Sequence, residues 1–564
     1  MRPVSGAEVL CTALEAGGVE CVFGLPGTQT VGIYEALRQS RLRSIVPTHE
    51  LGAAFMANGY ARASGKVGVV LTIPGPGFAY TIAGLAEARL DNVALVLITL
   101  EPNRGPTGEA GFQGIDHEAI ARPLLKGVIR VQDFHRVRGA VAEALSLAFS
   151  ENPGPVLLQI AEECMRAAGR PEPVLESSRL CLPDEGSDAF VAEIARARRP
   201  VIVVAGDFAN LSDAFARVAV SCHVPICVLA PNRGVVAEDH PWALCFDEVR
   251  TPYGDIQQIM GLTDLALVFG TQLGHVSTCG FRLKLPDNVL CMSVEGKGLP
   301  HGYSANRISR EEPARLLDRL LEAARTFAAE WTAAELALWR SRSDKKRPIW
   351  LPEPSVNGAS AAEFFSRMRR ALPRDAIVVT DSGLHQGLVR RHYPVLAPHG
   401  LLFPSDFQSM GYGLAAGLGA KLAVPSRQVI VVMGDGGFAM SGMELLTAAR
   451  DRIPLIVVVF NDGYLNLIRL QQLGAFGKAH AVGIDGPDLE RFAAAARVRY
   501  RTTNQQDVEA VFREAASERE PTLIEVPVGD SVAVHRVHAV SAAREVARSL
   551  VGPHVVGWLK RRLR

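Results

Sequence analysis

The chain has 564 residues, 48% of them hydrophobic and 21% charged, the balance of a globular protein too long for one hydrophobic core. Sixty Lys and Arg against 59 Asp and Glu leave a formal charge of +1, which argues against a nucleic-acid partner, because such a partner demands a basic face. Nine scattered cysteines without a CxxC pair indicate neither a zinc site nor a disulfide framework and read as reduced core thiols. The N-terminus has no signal-peptide core and no run of about 18 apolar residues occurs, so the expectation is a soluble, cytoplasmic protein without a membrane span.

Length predicts three or four domains. Short apolar runs followed by Gly or Asp and then by a helical pattern recur along the chain, as βαβ units require. The first segment has Val19–Phe23, Val67–Thr72 and Ala94–Leu100. The second has Pro200–Ala205, Pro225–Leu229, Asp264–Phe269 and Val289–Val294, and the third Ala376–Thr380, Gln428–Met433 and Pro454–Phe460. A Pro-containing polar stretch, Arg166–Ser187, separates the first two segments. A long helical stretch, Glu311–Trp339, and a charged Pro-rich linker, Arg340–Gly358, precede the third. The predicted fold is α/β, with three consecutive domains near 1–165, 188–330 and 358–530, each a mainly parallel doubly wound sheet flanked by helices. A tail, 531–564, follows, and its Lys560, Arg561, Arg562 and Arg564 read as a solvated helix end rather than a membrane or nucleic-acid patch.

The third segment carries the most chemistry. A strand runs into Gly434-Asp435-Gly436-Gly437, a helix follows, and the next strand ends at Asn461-Asp462-Gly463. If the two strands are parallel neighbours, Asp435 and Asn461 both sit at carboxyl ends, where open α/β sheets bind ligands. A hard Mg²⁺ wants oxygen ligands, which the Asp435 and Asn461 side chains and the Gly463 carbonyl can supply. Gly436 and Gly437 let the backbone approach a diphosphate at a helix N-terminus. A GDG turn by itself is also explained by turn conformation alone. The upstream run Gly411–Gly419, GYGLAAGLG, follows no clear strand and reads as close helix packing rather than a dinucleotide fingerprint.

Taken together, GDGG and the following Asn461 resemble the thiamine-diphosphate signature of acetolactate synthases, pyruvate decarboxylases and their relatives, although the first Asn of that signature is Phe460 here. The resemblance extends upstream. VECVFGLPGTQT, PTHELGAAFMANGYARASG and TIPGPGFAYT are similar to the family's pyrimidine-binding domain. It implies that Glu50 is the carboxyl that bonds the aminopyrimidine and promotes loss of the thiazolium proton; Glu50 otherwise reads as the start of a helix. It further implies cofactor contacts from Gly27, Pro74, Gly75, His385, Met410, Gly434, Asp435, Gly436, Gly437, Asn461 and Tyr464, with Mg²⁺ on Asp435, Asn461 and Gly463. Met410 looks like the apolar residue that bends the cofactor from below, a Met filling a core gap being the alternative.

At the substrate end, GFQGIDHEAIARPLLK resembles the acetolactate synthase segment that contributes Phe112, Gln113 and Lys126, with Gln113 in a catalytic role. Simple decarboxylases place a Glu six residues after the metal Asn and a His pair in the first domain; here the position holds Leu467 and no His pair exists. An apolar surround favours an acyl-anion equivalent that waits for an acceptor. His117 is either an acid or a helix-surface residue. The expected activity is decarboxylation of a 2-oxo acid with transfer to an aldehyde or a second oxo acid. A non-ligating decarboxylase and a catalytically silent member are the alternatives. The middle-domain stretches AGDFAN, LAPNRGVV and GTQLGHVS depart from those that hold FAD in the family, so FAD is not expected. The family also implies self-association as a dimer or tetramer, with each site shared between chains.

Overall fold

The computed structural model describes residues 3–101, 111–150, 152–170, 187–346, 354–356, 358–503 and 506–529. The basic C-terminal tail lies outside the described residues, as does most of the first linker. Each of the ten apolar runs overlaps a strand. In the first sheet these are β1 (Cys21–Gly24), β2 (Arg43–Ile45), β3 (Gly68–Thr72), β4 (Leu95–Leu100), β5 (Gly127–Val131) and β6 (Pro155–Ile160). The order is β2-β1-β3-β4-β6-β5 and every pairing is parallel.

The second sheet has β7 (Pro200–Val204), β8 (Ile226–Leu229), β9 (Ala243–Phe246), β10 (Leu265–Phe269), β11 (Val289–Met292) and β12 (Arg307–Ser309). They lie in the order β9-β8-β7-β10-β11-β12, again all parallel. The third has β13 (Ile377–Thr380), β14 (Leu401–Leu402), β15 (Val429–Gly434), β16 (Ile456–Asn461), β17 (Arg499–Thr502) and β18 (Thr522–Pro527). Their order, β14-β13-β15-β16-β18-β17, repeats that of the first sheet. Central strands such as β4 and β6 are buried along their whole length, as sheets covered by helices on both faces require.

Three helical expectations need correction. Glu311–Trp339 is not one helix: α-helices Pro313–Glu322 and Ala333–Lys345 flank a 3₁₀ turn and an extended stretch. Trp331 causes the break, because its ring is inserted into the middle-domain core with the Arg199 guanidinium 3.7 Å from its centre. The Thr332 hydroxyl then caps the new helix. That second helix continues through Arg340–Lys345, residues assigned above to a linker. The stretch between β15 and β16 also contains two short helices, Asp435–Ser441 and Glu444–Arg450, rather than one.

The first and third domains share one continuous core. Helix Glu50–Ser64 packs on helix Tyr412–Ala423 at backbone contact distance: a Cβ on Gly59 would lie 2.0 Å from the Ala416 carbonyl oxygen, and one on Gly419 only 1.8 Å from that of Met56. The Gly-rich run therefore serves close helix packing. The second domain is joined to the third by buried charge. Arg390 donates two hydrogen bonds to Asp247 (3.1 and 2.7 Å). Arg233 reaches Glu238 (2.6 Å), Asp247 (3.3 Å) and the carbonyls of Arg390 and Tyr393. Among the described residues no helix is long and apolar enough to cross a membrane, and the eight described cysteines are free thiols.

Candidate active site

β15 and β16 are parallel neighbours with Gly434 opposite Phe460, so Asp435 and Asn461 both stand at the carboxyl edge of the third sheet. Asp435 begins its helix with one carboxylate oxygen accepting the Gly436 N–H (2.9 Å) and the other the Gly463 N–H (2.7 Å). Burial raises its pKa, a cost that a bound cation would offset. The Asn461 amide is held by a residue the sequence reading missed: its Nδ2 donates to Glu525 Oε1 (2.8 Å), and Glu525 Oε2 accepts from the Tyr500 hydroxyl (2.7 Å). The amide oxygen is thereby left for another partner. Gly463, in the left-handed region with φ +73°, turns the chain beside Asp435, and its carbonyl accepts from Ile484 N–H (2.8 Å). An oxygen-only set of carboxylate, amide and carbonyl suits Mg²⁺; no group of three His, Cys, Asp or Glu able to hold a metal occurs among the described residues.

The floor of this half is tightly built. A Cβ on Gly436 would meet Ile484 and Leu465 at 2.8 and 2.9 Å, with the Met410 methyl 3.6 Å away. His385 is buried against Gly434, and its Nε2 lies 3.0 Å from the Asp381 carbonyl oxygen. A carbonyl only accepts, so Nε2 carries the proton, and burial holds the ring neutral with a pKa lowered to about 4. Asp381 is a second residue missed by the sequence reading. It is fully buried, caps the helix at Tyr412 by accepting the Gly411 N–H (3.0 Å), and is pushed up to about 7 by burial. Asp462, half-buried beside Asp435, is raised to about 6 by burial and then by that neighbour. One signal for Glu525 existed: a lone carboxylate inside the apolar run TLIEVP.

The first domain gathers a second group at the carboxyl edge of its own sheet. Glu50 opens helix Glu50–Ser64, with the His49 ring capping it through the Leu51 N–H. A Cβ on Gly77 would lie 3.4 Å from Glu50 Oε1 and one on Gly27 2.4 Å from Ile73, so the LPG and PGPG turns meet beside the carboxylate. Gly75 (φ +66°) packs onto the Gln113 backbone, and Gln113, itself at φ +59°, accepts from Gln29 Nε2 (2.6 Å). Pro74 is buried in the same turn.

His117 needs correction. It is 1% exposed rather than on a helix surface, and its Nε2 accepts the Gly75 N–H (3.1 Å) while the ring packs against Phe78, tilted by 40° with centroids 4.3 Å apart. An acceptor Nε2 places the proton on Nδ1, and burial lowers the pKa to about 4, so the ring is neutral and braces the PGPG turn.

The remaining residues lie apart. Phe112 is 81% exposed beside Gln113. Lys126 sits at the amino edge of the first sheet with Nζ on the Ser150 carbonyl (2.9 Å) and hydroxyl (2.7 Å), and is not brought to Gln113 within the chain. Tyr464 is exposed beneath the Arg469 guanidinium (4.5 Å), whereas Leu467 packs on the third-domain core. Glu50 has no hydrogen-bond partner among the described residues of the third domain.

Three family models match the chain: the thiamine pyrophosphate enzyme N-terminal TPP binding domain over residues 4–120, the central domain over 187–299 and the C-terminal TPP binding domain over 381–526. The chain is 30% identical over 502 residues to acetolactate synthase 3, chloroplastic, of Brassica napus, covering 85% of this chain and 75% of that one. It is 27% identical over 538 residues to the acetolactate synthase isozyme 2 large subunit of Escherichia coli, covering 93% and 96%. It is also 28% identical over 490 residues to a probable 2-ketoarginine decarboxylase of Pseudomonas aeruginosa, covering 84% and 85%. With two sheets of matching order and with GDGG and Asn461 brought together at the carboxyl edge of the third, the chain belongs to the thiamine pyrophosphate enzyme family, as an acetolactate synthase-like, thiamine-diphosphate-dependent enzyme.

Proposed function

We propose that the protein decarboxylates a 2-oxo acid and transfers the resulting acyl unit to an aldehyde or a second oxo acid. When bound, thiamine diphosphate supplies a nucleophilic thiazolium carbon once that carbon has lost its proton. Asp435, Asn461 and the Gly463 carbonyl would hold Mg²⁺, with the Asn461 oxygen presented by Glu525. Gly436 and Gly437 would take the diphosphate, and Glu50 would bond the pyrimidine of the cofactor. The observation that carries transfer over simple protonation is the withdrawal of acids from the reacting end. His117 is a buried, neutral ring whose Nε2 accepts the Gly75 N–H, and Leu467 is an apolar side chain packed on the core, so neither presents an acid to the reacting end.

Exposed apolar side chains border both half-sites: Val31 (64%) and Tyr80 in the first domain, Met440 (63%) and Met443 in the third. Such patches support pairing with a second copy, so that one chain's Glu50 and its partner's Asp435 complete a site. FAD is not proposed. At the switch point between β7 and β10, where a dinucleotide would enter, the Phe208 ring is 3.0 and 3.2 Å from the Cβ positions of Gly206 and Gly270.

The test is incubation of the protein with thiamine diphosphate, Mg²⁺ and a panel of 2-oxo acids, with and without aldehydes. Hydroxyketone or acetohydroxy-acid products support transfer. Release of the free aldehyde alone, even with acceptors present, would instead favour the decarboxylase reading that the Pseudomonas relative's name suggests.

A further inference from the structure

The segment 403–412 of the third domain carries Met410 and leads into helix Tyr412–Ala423, yet much of its anchoring comes from the first domain. Asp91 accepts the N–H groups of Ser405 (3.0 Å) and Asp406 (3.1 Å). Arg62 donates to Asp91 (3.2 Å) and to the Phe403 carbonyl (2.7 Å). At the end of the segment, Glu87 Oε2, on helix Ile82–Leu90, accepts the Ser409 N–H (3.0 Å). From the opposite side Asp381 accepts the Gly411 N–H with both oxygens (3.0 Å each). The N–H groups of the two residues flanking Met410, Ser409 and Gly411, are thus each held by a carboxyl group with no exposed surface, one from each domain. Between them the Met410 methyl is 3.6 Å from the Cβ position of Gly436, and Asp381 Oδ2 is 2.6 Å from that of Gly437.

We propose that Glu87 and Asp381 are positioning residues that clamp the backbone around Met410 and set its side chain against the GDGG turn, so that a bound thiamine diphosphate is held in its reactive, bent shape. The proposal rests on reading Met410 as the residue beneath the cofactor. A buried N–H that loses its acceptor must find another, and the backbone then shifts. Misplacement by about 1 Å at such a support lowers the rate of a geometry-sensitive step by about 10²-fold. Glu87 also makes the third-domain half-site depend on the first domain of the same chain, separately from any role of Glu50.

Three variants test this: Glu87→Leu, which removes the acceptor at similar volume, Asp381→Asn, which replaces with a donor one of the two oxygens that the Ser382, Gly411, Tyr412 and Gly413 N–H groups share, and Glu87→Gln, which keeps an acceptor oxygen. In the cofactor-free protein, amide hydrogen exchange across 403–412 should be faster in the first two and unchanged in Glu87→Gln. With thiamine diphosphate and Mg²⁺ bound, exchange of the thiazolium proton with deuterium should slow about 10²-fold in the first two, with cofactor affinity retained. Should Glu87→Leu fail to fold, Asp381→Asn carries the same comparison. Met410→Ala separates the two levels. If it slows thiazolium exchange while Glu87→Leu and Asp381→Asn match the parent in both readouts, the clamp is wrong and the Met410 reading stands. If Met410→Ala itself exchanges at the parent rate, the Met410 reading fails and takes the clamp with it.

Discussion

Glu525 offers the sharpest test of the metal half-site. Its Oε1 is the described partner of Asn461 Nδ2, and without it nothing fixes which end of the amide faces Asp435 and Gly463. Glu525→Leu keeps the volume of the side chain within β18 but leaves the amide free to turn its NH₂ towards the ion site, where a donor repels a cation. Residues that orient a metal ligand typically contribute 10–100-fold to affinity, which corresponds to about 1.4–2.7 kcal/mol. That range overlaps the contribution of one hydrogen bond to a charged acceptor, about 1.5–3 kcal/mol. Glu525→Gln keeps an acceptor oxygen for Nδ2 and should lose far less. Tyr500→Phe removes only the second partner of Glu525 and should lose least. The assay is titration of Mg²⁺ at saturating thiamine diphosphate, read by calorimetry. A Glu525→Leu protein with the parent's Mg²⁺ affinity would refute the reasoning, because Asn461 would then be shown not to need its partner.

Asp435→Ala should abolish Mg²⁺-dependent binding of thiamine diphosphate in calorimetric titration; affinity unchanged with or without EDTA would make the GDGG turn merely structural. Glu50→Gln should bind the cofactor normally and lose about 10²–10⁴ in rate. Mixed with Asp435→Ala chains under conditions of subunit exchange, it should regain part of the activity, and no recovery would disprove sites shared between chains. The purified protein should show no flavin absorbance; a yellow preparation at near-stoichiometric flavin would contradict the role given to Phe208. Burial, and then Asp91, push Glu87 up to about 8. The folded state therefore keeps a proton that the unfolded chain releases near pH 4, so this group lowers stability as pH rises. The Tm of Glu87→Gln relative to the parent should accordingly increase between about pH 5 and about pH 8. A pH-independent difference would show that Glu87 does not titrate in that window.

The strands that were readable in the sequence are the central ones. Val429–Gly434 and Leu95–Leu100 are buried on both faces and must be continuous apolar runs. Edge strands such as Arg43–Ile45 and Arg499–Thr502 need no such run, and their Arg, Ser and Thr side chains conceal them. The GDGG and Asn461 group was legible because backbone approach to a ligand admits few residue types. Glu525, Asp381 and Glu87 were not, because each acts on a residue far away in the chain and gains its meaning only from packing. His117 misled for a related reason. A five-residue helix gives no periodicity from which burial can be read, and the Phe78 ring that covers it comes from 39 residues upstream.

The contact between helices Glu50–Ser64 and Tyr412–Ala423 is reciprocal: Gly59 meets Ala416 as Gly419 meets Met56. Both helices join the second to the third strand of sheets with the same strand order, and in each pair the corresponding residues are 360 positions apart. The chain thus contains a pseudo-dyad, an approximate twofold axis relating its first domain to its third. Under the same shift Glu50 falls on Met410, and Gly75-Pro76-Gly77 on Asp435-Gly436-Gly437. The two like-ordered domains differ at these equivalent places: an acid at the start of one helix corresponds to a thioether just before the other, and a glycine turn braced by a histidine corresponds to one bearing a carboxylate at its head. A homodimer of such chains would carry four like units. Any substitution at the helix contact, Gly419→Val for instance, would then disturb both kinds of half-site at once.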